Sequence, residues 1–286
     1  MSLLVLMVAV LVTQEGGNVL KARIQKRLSE SAGTYAVAFE DLQSGRRVLM
    51  NEREMFHAAS TMKTPVMIEL FKKAEDGEIT LDDSIEVRNS FRSIVDGSPY
   101  SLSVTDDSDD SAYALLGRRV TIRQLIAHMI TVSSNLATNI LIELANPAQV
   151  TRTMRTLGAD SIQVLRGVED LKAFERGWNN RTTAYDLLMI FRAIAGGSVP
   201  GSAAMMDILE QQQFKDLIPA GLPAGVRVAH KTGSISGVEH DGGIVILPDG
   251  RRYILVVLSR DVPDREEGKK TIADVSRIVF EYMTGS

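Results

Sequence analysis

Ten apolar residues in a row, 3–12 (LLVLMVAVLV), give the first strong signal along the chain. The run is shorter than the roughly 20 residues a bilayer span needs, and its length suits the hydrophobic segment of a secretory signal. The first cation, Lys21, comes only after it, and no A-x-A cleavage site follows. Gly16-Gly17-Asn18 then reads as a break, with Asn18 as an N-cap. Residues 19–31 read as an amphipathic helix, with Val19, Ala22, Ile24 and Leu28 between cations. Thr34–Leu42 and Arg47–Asn51 flank Ser44-Gly45 as a hairpin. From about 60 to 211 the period is mostly helical, broken by a polar stretch, 89–119. Strand-like runs return at Val226–Lys231, Gly243–Leu247 and Tyr253–Ser259, the last two joined by the turn Pro248-Asp249-Gly250. Residues 265–283 predict a final helix.

Strands at both ends with helices between them predict a two-lobed α/β architecture. Residues 1–18 form a signal-like or disordered N-terminus. Residues 19–56 and 212–286 form an antiparallel sheet lobe flanked by the terminal helices, and 57–211 an inserted all-helical lobe. The site is expected between the lobes, a usual place for a pocket.

Composition narrows the chemistry. The 286 residues include no cysteine, which removes disulfides, cysteine-ligated metals and thiol nucleophiles together. The four histidines, His57, His128, His230 and His240, never fall in an H-x-H or H-x-x-x-H spacing, so no metal site and no cofactor is expected. A net charge of −4 argues against nucleic acid as a partner. Asp106, Asp107, Asp109 and Asp110 cluster within the polar stretch. They lack the Gly and Glu of an EF-hand calcium loop and read as a solvated acidic loop.

Three short patterns remain. Ser60-Thr61-Met62-Lys63 opens an apolar helix. Ser60 suits an N-cap. If it lies just inside the helix, Lys63 shares its face and could take its proton once burial or a neighbouring cation lowers the lysine pKa. Ser133-Ser134-Asn135 precedes the apolar run LATNILIELA and would serve as a cap by itself. His230-Lys231-Thr232-Gly233-Ser234 ends a strand-like run, with Gly233 supplying the bend. No G-x-S-x-G nucleophile elbow occurs.

In this order, Ser60-x-x-Lys63, Ser133-x-Asn135 and Lys231-Thr232-Gly233 resemble the motif set of the serine penicillin-recognising enzymes, the class A β-lactamases and penicillin-binding proteins. The resemblance covers roughly residues 19–286. It implies a serine hydrolase that opens the β-lactam amide through a Ser60 acyl-enzyme, with Lys63, Ser133 and Glu169 as further catalytic residues. Asn135, Lys231, Thr232, Gly233 and Ser234 would bind substrate, and the backbone N–H groups of Ser60 and Ser234 would form the oxyanion hole. The implied protein is a monomer, periplasmic or secreted, acting on a small-molecule β-lactam. A D-alanyl-D-alanine carboxypeptidase or transpeptidase, or a related serine esterase, is the alternative of the same fold. Glu169 follows Ser133 by 36 positions, as the water-activating glutamate of class A enzymes does. The sequence departs from the family around it: Arg166 stands three residues before it, Ala173 replaces the usual Asn, and Glu175 is a nearby competitor. Ser134 replaces the Asp of the second motif, and the 73 positions from Ser60 to Ser133 exceed the usual spacing. The surplus falls in 89–119, as a flap near the site. Arg227 is a candidate second cation for a substrate carboxylate.

Overall fold

The computed structural model describes the backbone of residues 2–285 and the side chains from Gly16 onward. The side chains of the apolar segment 3–12 lie outside the described residues. Helix α1 (Ser2–Ser29) runs unbroken through Gly16-Gly17-Asn18, so the expected start at Asn18 is corrected. Glycine costs a helix about 1 kcal/mol relative to alanine, which is too little to stop one whose next turns bury Leu20 and Ile24 completely. The expected hairpin follows as β1 (Thr34–Asp41) and β2 (Arg47–Met50).

After β3 (Phe56–His57), a 3₁₀ turn (Ala59–Met62) feeds α2 (Lys63–Glu75), which is buried from Lys63 to Phe71. Strand β4 (Ser84–Glu86) precedes the polar stretch, which itself holds only β5 (Phe91–Arg92), β6 (Pro99–Tyr100), a 3₁₀ turn and, at its end, the start of β7 (Arg119–Thr121). Helix α3 (Ile122–Thr131) starts in a Thr121/Gln124 capping box. Ser134 caps α4 (Asn135–Ala145), and Asn146 caps α5 (Pro147–Thr156). Short α6 (Leu171–Glu175) and β8 (Arg181–Thr182) precede α7 (Ala184–Ala195) and α8 (Ser202–Glu210). The expected helical lobe thus also carries three small ladders, β3–β8, β4–β7 and β5–β6.

The chain closes with β9 (Arg227–Ile235), β10 (Val238–Ile246), β11 (Arg252–Arg260) and α9 (Arg265–Thr284). One antiparallel sheet results, in the order β2-β1-β11-β10-β9. Alternation sorts its residues into two cores. Tyr35, Val37, Phe39, Leu255 and Val257 meet Leu20, Ile24 and the apolar face of α9. Ala36, Ala38, Ile254, Val256 and Leu258 join the core of the helical lobe, and the small alanines let α7 lie against β1 and β11.

The third hairpin differs from expectation. Strand β9 does not bend at Gly233; it pairs with β10 out to Ile235, and the turn falls at Ser236-Gly237. Strand β10 starts at Val238 rather than Gly243, because the polar run Glu239-His240-Asp241 is buried with its partners supplied. Glu239 accepts from Ser234 Oγ (2.7 Å) and pairs with Arg265 (2.7 Å). Asp241 faces His230 Nδ1 (2.9 Å) and accepts from Ile218 N (3.0 Å). His240 Nδ1 accepts from Ser259 N (3.0 Å) and its Nε2–H donates to the His57 carbonyl (2.8 Å). Burial holds the His240 imidazole at a pKa of about 4, consistent with that neutral tautomer.

Among the described residues, no helix is long and apolar enough to cross a membrane. Ile24 anchors α1 to the outer face of the sheet. Ile24→Ala is expected to cost about 2–5 kcal/mol, read as a lower denaturant midpoint with an unchanged slope.

Candidate active site

Ser60 lies inside the 3₁₀ turn that leads into α2, one residue past Ala59, whose φ of 45° is left-handed. Two neighbouring amides are already committed. Ala59 N–H donates to His57 Nδ1 (3.0 Å) and Thr61 N–H to the Ala58 carbonyl (3.1 Å). The Ser60 N–H sits between them, against β9. A Cβ on Gly233 would lie 3.0 Å from Ser60 N and 3.1 Å from Thr61 N. Only glycine lets this edge strand approach the turn so closely, and the approach brings Ser60 and Ser234 to the same opening.

Lys63 is fully buried, and its three donors all go to the second motif. Nζ donates to the Ser133 carbonyl (2.6 Å), Ser133 Oγ (3.1 Å) and Asn135 Oδ1 (3.0 Å). Burial lowers its pKa to about 7, against the opposing pull of Asp107 and Glu169. Lys231 is equally buried; it donates to the same Ser133 Oγ (3.1 Å) and to the Thr232 carbonyl (3.0 Å). Its pKa falls well below the usual lysine value through burial and the neighbouring Lys63. The Nζ atoms of two lysines therefore lie within hydrogen-bond distance of one hydroxyl oxygen. Ser133 also lines the cavity. Ser133 itself holds a left-handed φ of 59°.

Glu169 reaches the same cluster from a loop. Its Oε1 accepts from Asn135 Nδ2 (2.9 Å), so one amide bridges Lys63 and Glu169. Burial raises the Glu169 pKa, and Asp107 and Asp106 add to the rise. Its φ of 61° is held by contacts on either side. Asn139 accepts from Val168 N (2.6 Å) and donates to Val168 O (3.0 Å). Arg166 bonds Trp178 O (2.8 Å), Asn179 Oδ1 (2.9 Å) and Gly167 O (2.9 Å), stapling the two ends of the loop. Glu175 is exposed at the end of α6 and takes no part, whereas Ala173 is buried and offers no polar atom.

The nine residues to which the resemblance assigns catalysis or substrate binding are brought together here. Ser60, Ser133, Asn135, Thr232, Gly233 and Ser234 line a cavity of about 650 Å³; Lys63 and Lys231 lie beneath it and Glu169 beside Asn135. Arg227 does not reach it: it sits at the far end of β9, paired with Glu210 at 2.7 Å. The cations at the cavity wall are Arg265 and Lys269, which the sequence reading missed. The acidic stretch is not simply solvated. Asp109 is buried against His128 Nδ1 (2.7 Å), and Asp107 accepts from Asn135 N and Leu136 N, both at 2.9 Å. Free N–H groups at a helix start attract carboxylates, but which helix the acids would meet is not visible in a local pattern. Asn139 was open to discovery, as an amide within the apolar run LATNILIELA.

Comparisons with known proteins point the same way. The profile of the β-lactamase enzyme family matches residues 19–283. A β-lactamase of Bacteroides uniformis is 25% identical over 96% of this chain and 95% of its own. Among solved structures, a β-lactamase from Sphaerobacter thermophilus DSM 20745 superposes with a TM-score of 0.77 at 25% identity, over 95% of this chain and 98% of that one. PBP-A superposes with a TM-score of 0.78 at 27% identity, over 93% and 96%.

A lysine titrating near neutrality is directly visible by NMR. With lysine side chains isotopically labelled, the Lys63 resonance is expected to titrate with a midpoint of about 7. A midpoint near the ordinary lysine value of about 10.4 would contradict the burial described here.

Proposed function

The chain belongs to the β-lactamase enzyme family, and from that premise we propose that it is a serine β-lactamase with Ser60 as nucleophile. The observation that carries this reading is the Lys63–Asn135–Glu169 bridge. It sets one proton acceptor beside the nucleophile's helix and a second on a separate loop, linked through one amide.

The reaction follows from the groups in place. Ser60 Oγ bonds to the lactam carbonyl carbon and gives its proton to Lys63, a substantial share of which is neutral at pH 7. The negative oxygen is met by the Ser60 and Ser234 N–H groups; one such donor typically contributes about 10²–10³ in rate. As the carbon–nitrogen bond breaks, Ser133 gives its hydroxyl proton to the leaving nitrogen and is re-protonated from Lys63, 3.1 Å away. Lys231, Thr232 and Ser234 receive the substrate carboxylate. The second hydrogen of Asn135 Nδ2 is available to the substrate's side-chain amide. Glu169 then takes a proton from water as the water oxygen attacks the ester, and Ser60 Oγ leaves with that proton returned to it, which restores the Glu169 carboxylate.

Glu169→Ala separates the two halves of this cycle. Penicillin should still acylate Ser60, seen as an adduct on its peptide after digestion. The acyl-enzyme should accumulate, and turnover should fall by about 10²–10⁴. A long-lived penicilloyl-enzyme in the unaltered protein would instead favour a carboxypeptidase or transpeptidase, and an adduct elsewhere would overturn the nucleophile.

We further read the protein as an exported monomer in which the apolar run 3–12 serves as the signal. N-terminal sequencing of protein recovered from outside the cytoplasm of its host should then begin beyond Val12, and recovery of intact Met1–Val12 would oppose export.

A further inference from the structure

The first turn of α4 is gripped by a segment that the proposed reaction does not use. Ser134 caps the Ala137 N–H with its own side chain (3.2 Å). The preceding amides, Asn135 N and Leu136 N, both converge on Asp107. Asn135 N lies 2.9 and 3.0 Å from its two carboxylate oxygens, and Leu136 N lies 2.9 Å from one of them. The next residue, Ser108, turns its hydroxyl to the Val132 carbonyl (2.8 Å) and the Ser133 carbonyl (3.1 Å). One short stretch of the polar loop thus holds the donors and the acceptors of residues 132–136. It is itself anchored from behind, where Asp109 accepts from Ser111 N (3.1 Å) and meets His128 (2.7 Å).

Resting on the reading of Ser60, Lys63 and Glu169 as the reacting groups, we propose that Asp107 is a positioning residue for both halves of the reaction, fixing the backbone of Asn135 so that its amide holds Lys63 and Glu169 at once. A carboxylate suits the task better than a neutral acceptor. It meets two adjacent N–H groups at the positive end of a helix, and charge-assisted bonds of this kind are the stronger ones. Its charge also bears on the groups it aligns. Lys63 is faced by Asp107 from the polar loop, Glu169 from the 165–180 loop and Lys231 from β9. Asp107 favours the protonated lysine, and it opposes ionisation of Glu169 and of Tyr113. Residue 107 therefore acts on the base of the first step and the base of the second through the same amide and the same field.

Asp107→Ala and Asp107→Asn test this, with the exposed Asp110→Asn as a control that should match the unaltered protein. Acylation and deacylation by penicillin are timed separately, and amide hydrogen exchange is followed across 134–138. Asp107→Ala should slow both steps by about 10-fold to 100-fold, the scale on which small misplacements act, and should speed exchange at Asn135 and Leu136. Asp107→Asn keeps one acceptor and the fold. It should recover part of both rates, while the acid limb of acylation moves to lower pH, because Lys63 loses a neighbouring negative charge. Wild-type rates in both variants, an unmoved acid limb in Asp107→Asn, or a loss confined to one step would overturn the proposal. If the unaltered protein forms no penicilloyl-Ser60, the hydrolase reading fails first. Exchange then judges Asp107 alone, and unchanged protection of Asn135 and Leu136 in Asp107→Ala would overturn it.

Discussion

Two lysine side chains taken out of water around one hydroxyl oxygen set the terms for the rest of this molecule. A buried ammonium is costly unless its donors are satisfied. Lys63 and Lys231 meet that demand by converging on Ser133 Oγ from α2 and from β9. Three separate pieces of chain must meet at one atom, and none can shift without stranding a buried donor. The backbone records the constraint. Ala59, Ser133 and Glu169 all adopt left-handed φ values without being glycine. Such strain persists where the surroundings over-determine it, characteristically at reactive sites. Here it turns Ser60, Ser133 and Glu169 toward a common space.

The sheet supplies the rigidity this requires. Apolar residues of β1 and β11 are buried on both faces, between the terminal helices on one side and α7 on the other. Strand β9 is an edge of the sheet, and it is blunted against the Ser60 turn through Gly233 rather than left open to another strand. The buried polar run of β10 secures the same junction. His240 reaches the His57 carbonyl, His57 accepts the Ala59 N–H, and Ala59 precedes Ser60. Glu239 holds Ser234 from the other side of the hairpin. The Ser60 turn is thereby fastened to the sheet by polar contacts as well as by close packing.

Two irregular segments complete the site, and polar contacts hold both. Asp170, next to Glu169, caps α6 and accepts from Ser93 Oγ (2.8 Å) and Ile94 N (2.9 Å), tying the 165–180 loop to the inserted polar stretch. That stretch in turn holds α4 through Asp107 and Ser108. Loops on a rigid scaffold commonly carry function; in this case each loop also braces the other, so that Glu169 and Asn135 meet across them.

Much of this was legible in the residues by themselves. The β1–β2 hairpin, β11, α9 and the turn at Pro248-Asp249-Gly250 follow from alternation, glycine placement and helical period, which are local properties. Ser60, Lys63, Ser133, Asn135 and Lys231 were recognisable because their order along the chain matches a known motif set. Other features depended on partners that lie far away in sequence. Glu239-His240-Asp241 looks like a loop until Arg265, Ser259 and His230 are beside it, and only then can it be an interior strand. Gly233 looks like a bend until the Ser60 turn packs against it, and then it is the close approach of a continuing strand. Asp107 looks like one acid among four until the amides of α4 come within 3 Å. Sequence by itself determined which groups are brought forward as candidates for the chemistry and most of the elements that bear them. Tertiary structure alone decided which buried polar groups are satisfied and by whom, because hydrogen bonds and desolvation depend on distances between residues that the order of the chain does not contain.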